Sequence, residues 1–135
     1  MKKIILIGFA LILTSGFLGI CQNGKKETQG VLSEKVQAYY FHLTTRCITC
    51  KTVEAEAKKD LESLYGTKII FQAINIEEES SKAITEKLKI SGQTLLLVKG
   101  DKKIDLTNEG FLYAVNNPDK LKSIIKARVD ELLKL

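Results

Sequence analysis

Residues 39–54 read YYFHLTTRCITCKTVE and contain two of the chain's three cysteines, Cys47 and Cys50. The residues that lead into them, 36–43, are rich in β-branched and aromatic side chains, which predicts a strand. After them, apolar residues such as Val53, Ala57 and Leu61 recur at helical spacing. The two cysteines therefore lie where a predicted strand gives way to the N-terminus of a predicted helix.

This placement gives the cysteine pair a chemical use. Two intervening residues at a helix start bring both sulfur atoms within bonding range, so a disulfide can form and break with little backbone motion. The helix N-terminus favours the thiolate of the first cysteine, and Arg46 adds a positive charge beside it. We expect a redox or ligand-binding role for Cys47 and Cys50. A structural zinc site is disfavoured, because no second CxxC or Cys/His pair completes a set of four ligands.

The remainder of the chain predicts an α/β domain. The further elements are a strand, a helix, two strands joined by a tight turn and a final helix, at residues 68–76, 77–89, 94–98, 103–107 and 117–134. Strand 68–76 is long and apolar enough to be buried on both faces. Asn117 and Pro118 suit the first positions of the last helix. Strands that alternate with helices argue for a sheet covered on both faces.

The order βαβαββα, with CxxC before the first helix, resembles the thioredoxin fold over residues 35–135. The resemblance implies an α/β three-layer sandwich around a central mixed four-stranded sheet. It also implies that Cys47 is the exposed nucleophile and Cys50 the resolving thiol. The Cys47–Cys50 disulfide would then be the redox group, with no other cofactor. Lys51 matches a lysine often found after the second cysteine in that superfamily.

A narrower resemblance rests on residues 39–54 alone. This stretch is similar to small exported bacterial thioredoxin-like proteins of the ArsF type. That family is named for the reduction of nitrophenyl arsenicals and is associated with arsenic-resistance gene clusters. The resemblance implies a reducing role that is auxiliary to arsenical or nitroaromatic detoxification.

Three positions depart from the thioredoxin pattern. Arg46 stands where an aromatic residue usually precedes the first cysteine, Phe41 where a buried acid often lies, and Gln93 where the family has a cis-proline. A cis bond before a residue other than proline costs about 2.5–4 kcal/mol, so a trans peptide is expected before Gln93. In the family, that proline loop binds substrate backbone and is thought to keep metal ions from the thiolates. Its replacement makes capture of a soft ion by the two thiolates a competing hypothesis.

Four residues outside the cysteine pair are candidates for tuning the site or contacting a substrate. By their position, Gln93 and Thr94 are expected to line the site, and Arg46 adjoins the nucleophile. His42 has three interpretations: an ordinary strand residue, a proton relay, or a third ligand for a soft metal.

Two other pairs of residues have ordinary structural interpretations. Tyr39 and Tyr40 are expected to pack in the sheet. Glu54 and Lys58, four residues apart on the predicted helix, are expected to form an ion pair on its solvated face.

The first 21 residues predict an export signal. A basic start is followed by an uncharged apolar run, residues 4–20, which is short for a membrane-spanning helix of about 20 residues. Residues 18–21 resemble a bacterial lipoprotein signal with Cys21 as the lipidated residue, although Ile20 stands where Gly, Ala or Ser is usual. An ordinary cleaved signal or an uncleaved anchor is the alternative. Residues 22–34 predict a flexible tether, which would hold the domain on the periplasmic side of a bacterial membrane.

The composition bounds the class of protein. With 135 residues, one proline, 44% hydrophobic and 27% charged residues, the chain fits one folded domain. Three cysteines are too few for a fold built on disulfides. The net charge is +5, but no basic run is interleaved with aromatic residues, so nucleic-acid binding is not supported. We expect a monomer.

Two functional hypotheses follow from these residues. The first is an exported thiol–disulfide oxidoreductase or dithiol electron-transfer subunit, whose partner is a protein disulfide or a membrane reductase. The alternative is a binding module in which reduced Cys47 and Cys50 chelate arsenite or cuprous copper, with His42 as a possible third ligand.

Overall fold

A computed structural model describes residues 34–135, and the predicted export signal, Cys21 and nearly all of the predicted tether lie outside these residues. The described strands are β1 Gln37–His42, β2 Ile70–Asn75, β3 Thr94–Lys99 and β4 Lys102–Asp105. The helices are α1 Ile48–Tyr65, α2 Lys82–Leu88, α3 Thr107–Tyr113 and α4 Pro118–Leu133, with short 3-10 turns at Gly66–Lys68 and Glu79–Ser81. Within residues 34–135, no helix has the length and apolarity needed to cross a membrane.

The four strands form one mixed sheet, as predicted, and their order in the sheet is β2-β1-β3-β4. β1 and β2 are parallel, whereas β3 is antiparallel to both β1 and β4. In this register, Phe41 lies between Ile74 of β2 and Thr94 of β3. The carboxyl end of β1, which leads to the cysteines, therefore lies beside the beginning of β3.

Alternation of side chains along the strands creates two hydrophobic layers. Ala38 and Tyr40 of β1 pack in the larger core cluster with Val53 of α1 and Leu121 of α4. The intervening residues of the strand face the opposite way, and Phe41 packs in the smaller core cluster with Leu88 of α2. The sheet is thus covered on both faces, which confirms the predicted three-layer α/β arrangement.

The exposure of β2 differs from the prediction made for residues 68–76. The prediction that this strand is buried on both faces is wrong, because β2 forms an edge of the described sheet and all six of its residues are exposed or half-buried. Ile70, for example, is 50% exposed. The length and apolarity of a strand do not distinguish an edge position from a central one.

Helix α3 is absent from the predicted βαβαββα order. It follows β4 directly, where Asp105 Oδ1 accepts a hydrogen bond of 2.8 Å from the Thr107 backbone N–H. Gly110 lets this helix approach α1 closely, because a Cβ atom at that position would lie 2.9 Å from Cγ1 of Val53. A seven-residue helix with a central glycine has a low intrinsic helix propensity, which explains why the sequence pattern did not indicate it.

The predicted beginning of the last helix is confirmed. Asn117 is the N-cap residue of α4, and its side-chain Oδ1 accepts a hydrogen bond of 3.1 Å from the Lys120 backbone N–H. Pro118 occupies the first turn, where its missing N–H has no helical partner to lose. Helices α4 and α1 pack against each other on the same face of the sheet, where α1 contacts β2 and α4 contacts β3.

Candidate redox site

Cys47 and Cys50 form a disulfide at the N-terminus of α1. Their Cα atoms are 5.2 Å apart. Cys47 is the N-cap residue, with extended backbone angles, and its Sγ accepts a hydrogen bond of 3.2 Å from the Cys50 backbone N–H. The sulfur of Cys47 therefore occupies the position in which a helix N-terminus stabilises negative charge.

The two sulfur-bearing residues differ in their access to solvent. Cys47 is exposed, whereas Cys50 is only 3% exposed and belongs to the buried face of α1. Ile48, between them, is 84% exposed. A partner molecule can therefore approach Cys47 directly, whereas Cys50 is covered by the fold.

Arg46, directly before Cys47, forms an ion pair with Glu54 of α1 through its Nη1 atom and the Glu54 Oε2 atom. The side chains are 24% and 25% exposed, so the pair is partly shielded from water. The prediction of a Glu54–Lys58 ion pair is wrong, because the Lys58 Nζ atom instead lies 4.0 Å from the Glu62 Oε1 atom. The positive charge predicted beside Cys47 is present on Arg46, but the carboxylate of Glu54 in α1 offsets it.

Tyr40, rather than Phe41, faces the layer that contains α1. Both residues are fully buried, but Phe41 packs on the α2 side of the sheet. Burial, together with the negative charge of Glu54, raises the pKa of Tyr40 to about 12 against the opposing effect of the positive charge of Arg46. The Tyr40 hydroxyl has no hydrogen-bond partner among the described residues. The Tyr40 hydroxyl is thus protonated and without a hydrogen-bond partner, and the charges of Arg46 and Glu54 both affect its pKa.

Gln93 and Thr94 lie at the same end of the sheet as the disulfide. Thr94 is the first residue of β3 and pairs with Phe41, and both Gln93 and Thr94 are half-buried. Every peptide bond in the described residues is trans, which includes the bond before Gln93, as expected. Thr94 Oγ1 donates a hydrogen bond of 3.1 Å to the Gly92 carbonyl. This loop is therefore near the dithiol by topology, and its role in contacting substrate stays a prediction.

His42 lines a cavity of about 460 Å³ beside β2 and α2, together with Gln72, Asn75, Glu78 and other residues. Its Nδ1 atom lies 3.0 Å from the Leu43 carbonyl oxygen. Residues 34–135 contain no group of three His, Cys, Asp or Glu side chains arranged to hold a metal ion. In this disulfide form, His42 is therefore not assembled with the two cysteines into a three-ligand site.

Sequence reasoning assigned no functional position to Glu54 or Tyr40. The Arg46–Glu54 contact joins a loop to a helix across eight positions, and no helical periodicity indicates such a pair. The sequence pattern does not determine whether Tyr40 or Phe41 faces α1, because both are aromatic residues of the same strand. The signal in the sequence that could have indicated Tyr40 is its hydroxyl, because a tyrosine in a buried strand needs a hydrogen-bond partner for that group.

The similarity to a solved structure agrees with this architecture. No family model matches the chain, and no curated protein matches it. The crystal structure of Trxlp from Edwardsiella tarda EIB202 matches with a TM-score of 0.50 and 17% identity, covering 70% of this chain and 84% of that chain. A structure of a malarial protein covers 51% of this chain and 74% of its own, at 21% identity and a TM-score of 0.41.

The sheet order, the two covering layers and the similarity to Trxlp together define the class of fold. The chain has a thioredoxin-like fold, and its CxxC pair forms a disulfide at the N-terminus of the first helix. This combination suggests a redox function.

Proposed function

We propose that this protein is an exported thiol–disulfide oxidoreductase or dithiol electron-transfer subunit that works through Cys47 and Cys50. The observation that supports the proposal most directly is the asymmetry of the pair: Cys47 is exposed at the helix N-terminus, whereas Cys50 is 3% exposed behind it. Reversible disulfide chemistry needs one accessible sulfur to react with the partner and a second sulfur close by to release it.

The reaction proceeds by two thiolate attacks. The Cys47 thiolate attacks a partner disulfide, forms a mixed disulfide and releases one partner thiolate. Cys50, after losing its proton, attacks the Cys47 sulfur, and the second partner thiolate leaves. The partner gains two electrons and the protein is left with the Cys47–Cys50 disulfide. A membrane reductase or another dithiol would reverse these steps and return the two electrons.

Trapping of the mixed disulfide tests this proposal. The Cys50→Ser variant lacks the resolving thiol and should accumulate a covalent complex that reductant releases, detected by non-reducing gel electrophoresis and mass spectrometry. The Cys47→Ser variant is the matched control and should trap much less, because its remaining thiol is buried. An equal yield from both variants, or no complex from either together with no disulfide-reductase activity, would reject the proposal.

The finer assignment concerns location and substrate. We place the domain on the periplasmic side of a bacterial membrane, held by a lipid on Cys21 or by the leader itself. The role in arsenical or nitroaromatic detoxification is supported by the sequence of residues 39–54 alone. Metabolic labelling with a fatty-acid analogue, compared between wild type and Cys21→Ala, tests the anchor. The detoxification role is tested by comparing the growth, in the presence of a nitrophenyl arsenical, of cells that carry the wild-type protein with that of cells whose protein lacks both Cys47 and Cys50.

A second candidate function is capture of a soft ion by the reduced pair, with the ion as cargo. Gln93, preceded by a trans peptide, supports this candidate, because it occupies the place of the proline thought to keep metals from the thiolates. Calorimetric titration of the reduced protein with arsenite and with cuprous copper tests it. The Gln93→Pro variant should bind the ions more weakly and exchange disulfides faster. An affinity no greater than that of a free dithiol peptide would reject this candidate.

A further inference from the structure

The Tyr40 hydroxyl is a buried polar group whose presence the disulfide form does not explain. Tyr40 is fully buried, and its hydroxyl has no hydrogen-bond partner among the described residues. The hydroxyl of Tyr39, by contrast, donates to the Gln37 side chain, and that of Tyr65 donates to Asp130 at 2.6 Å. An unsatisfied buried donor costs about 1–3 kcal/mol. A phenylalanine would fill the same apolar space without this cost.

The position of Tyr40 connects it with the cysteine pair. Its side chain belongs to the core cluster that includes Val53, which follows Cys50 by three residues and therefore lies about one turn further along α1. The charges of Arg46 and Glu54 both act on the hydroxyl. Cys50 and Glu54 are four residues apart and share one side of the helix. Tyr40 therefore belongs to the same core cluster as a residue of α1 that lies one turn beyond the buried Cys50.

We propose that Tyr40 is a positioning residue whose hydroxyl donates a hydrogen bond to the Cys50 sulfur when the disulfide is reduced. This inference rests on the proposed redox function and adds a group that sets its equilibrium. In the disulfide form, the Tyr40 hydroxyl donates to neither cysteine sulfur. Reduction produces a buried thiol, and its ionised form is a much stronger acceptor, since hydrogen bonds to charged groups are about twice as strong. The unpaired donor thus destabilises the oxidised form and stabilises the reduced form.

The test compares Tyr40→Phe with Tyr39→Phe at equilibrium with glutathione. Two glutathione thiols supply two electrons and two protons; the Cys47–Cys50 bond breaks, glutathione disulfide forms, and the protein gains two thiols. We expect Tyr40→Phe to shift this equilibrium towards the protein disulfide by roughly tenfold, which is about 30 mV for a two-electron couple. Tyr39 is the matched control, because its bonded hydroxyl lies on the opposite face of the same strand. Tyr39→Phe should leave the equilibrium unchanged.

Denaturant unfolding measures the stability of the oxidised and of the reduced protein and tests the proposal independently. Tyr40→Phe should leave the oxidised protein at least as stable as wild type and should destabilise the reduced protein relative to it. An unchanged equilibrium, or the same change in both redox forms, would show a purely structural role and overturn the proposal. A wild-type protein that glutathione and dithiothreitol cannot reduce would instead reject the proposed redox function. If Tyr40→Phe does not fold, NMR of the wild type decides: the Tyr40 hydroxyl proton should exchange more slowly after reduction, and unchanged exchange would overturn the proposal.

Discussion

Neutralising Glu54 should make the Cys47 thiolate more stable, because Arg46 would lose the carboxylate that offsets its charge. Two unit charges 4 Å apart near a protein surface interact by about 4 kcal/mol, and this energy falls inversely with distance. Because Cys47 is exposed and salt screens the interaction, we take about 1 kcal/mol for the effect of the Arg46 charge on the Cys47 thiolate. Glu54→Gln should therefore increase the ratio of thiolate to thiol about fivefold.

The pH profile of Cys47 alkylation in the reduced protein measures this effect. The midpoint for Glu54→Gln should lie about 0.7 pH units below that of wild type, and the reduction potential should rise by about 20 mV. The midpoint is a better readout than the rate at one pH, because a more stable thiolate is also less nucleophilic. Arg46→Gln should move the midpoint upward.

A double-mutant cycle identifies the pair as the cause. The variant with both Arg46→Gln and Glu54→Gln should return close to the wild-type midpoint, because the two opposite charges are removed together. Glu56→Gln is the matched control, since this carboxylate pairs with Lys59 on the same helix. A midpoint for Glu54→Gln that is unchanged or higher, or one that Glu56→Gln reproduces, would refute the electrostatic argument.

Three further predictions concern the stability of the fold and use denaturant unfolding. Burial raises the pKa of Asp60, and its Oδ2 atom has no hydrogen-bond partner in the described residues. The contribution of protonated Asp60 to the free energy of unfolding is therefore fully present below pH 3.8 and is lost as the pH rises through the raised pKa of the folded state. Asp60→Asn should therefore stabilise the protein by about 1 kcal/mol at pH 7 and remove this pH dependence; equal stability of the two proteins at pH 7 would contradict it. Gly110→Ala should cost about 1–3 kcal/mol because its Cβ would lie 2.9 Å from Cγ1 of Val53, whereas Gly92→Ala, with nothing within 4 Å, should be close to neutral. Asn117→Ala should cost about 1 kcal/mol through loss of the α4 N-cap, and an unchanged midpoint would argue against that cap.

The parts of the fold that were predictable are those with a local signal. The β-branched and aromatic residues of 36–43 indicated β1, helical spacing indicated α1, and residues 99–102 indicated the turn between β3 and β4. The Asn117–Pro118 start of α4 follows from its capping chemistry. The CxxC pair was placed correctly because it falls at a boundary between two strong patterns.

The parts that were not predictable depend on contacts between distant segments. The edge position of β2 is a property of the sheet order, which strand composition does not reveal. The pairing of Arg46 with Glu54 depends on the path of the loop before α1. Tyr40 packs in the layer of α1 and Phe41 in the opposite layer, which the composition of the strand does not reveal.

The reduction potential of the Cys47–Cys50 pair tests the central claim most directly. It is obtained by equilibrating the protein with glutathione buffers of graded ratio and quantifying the free thiols after acid quenching. A redox-active pair should titrate reversibly with two electrons, at a potential between about −270 and −120 mV, the range of thioredoxin-like oxidoreductases. A pair that remains oxidised until the potential falls below about −300 mV would behave as a structural disulfide and would contradict the account.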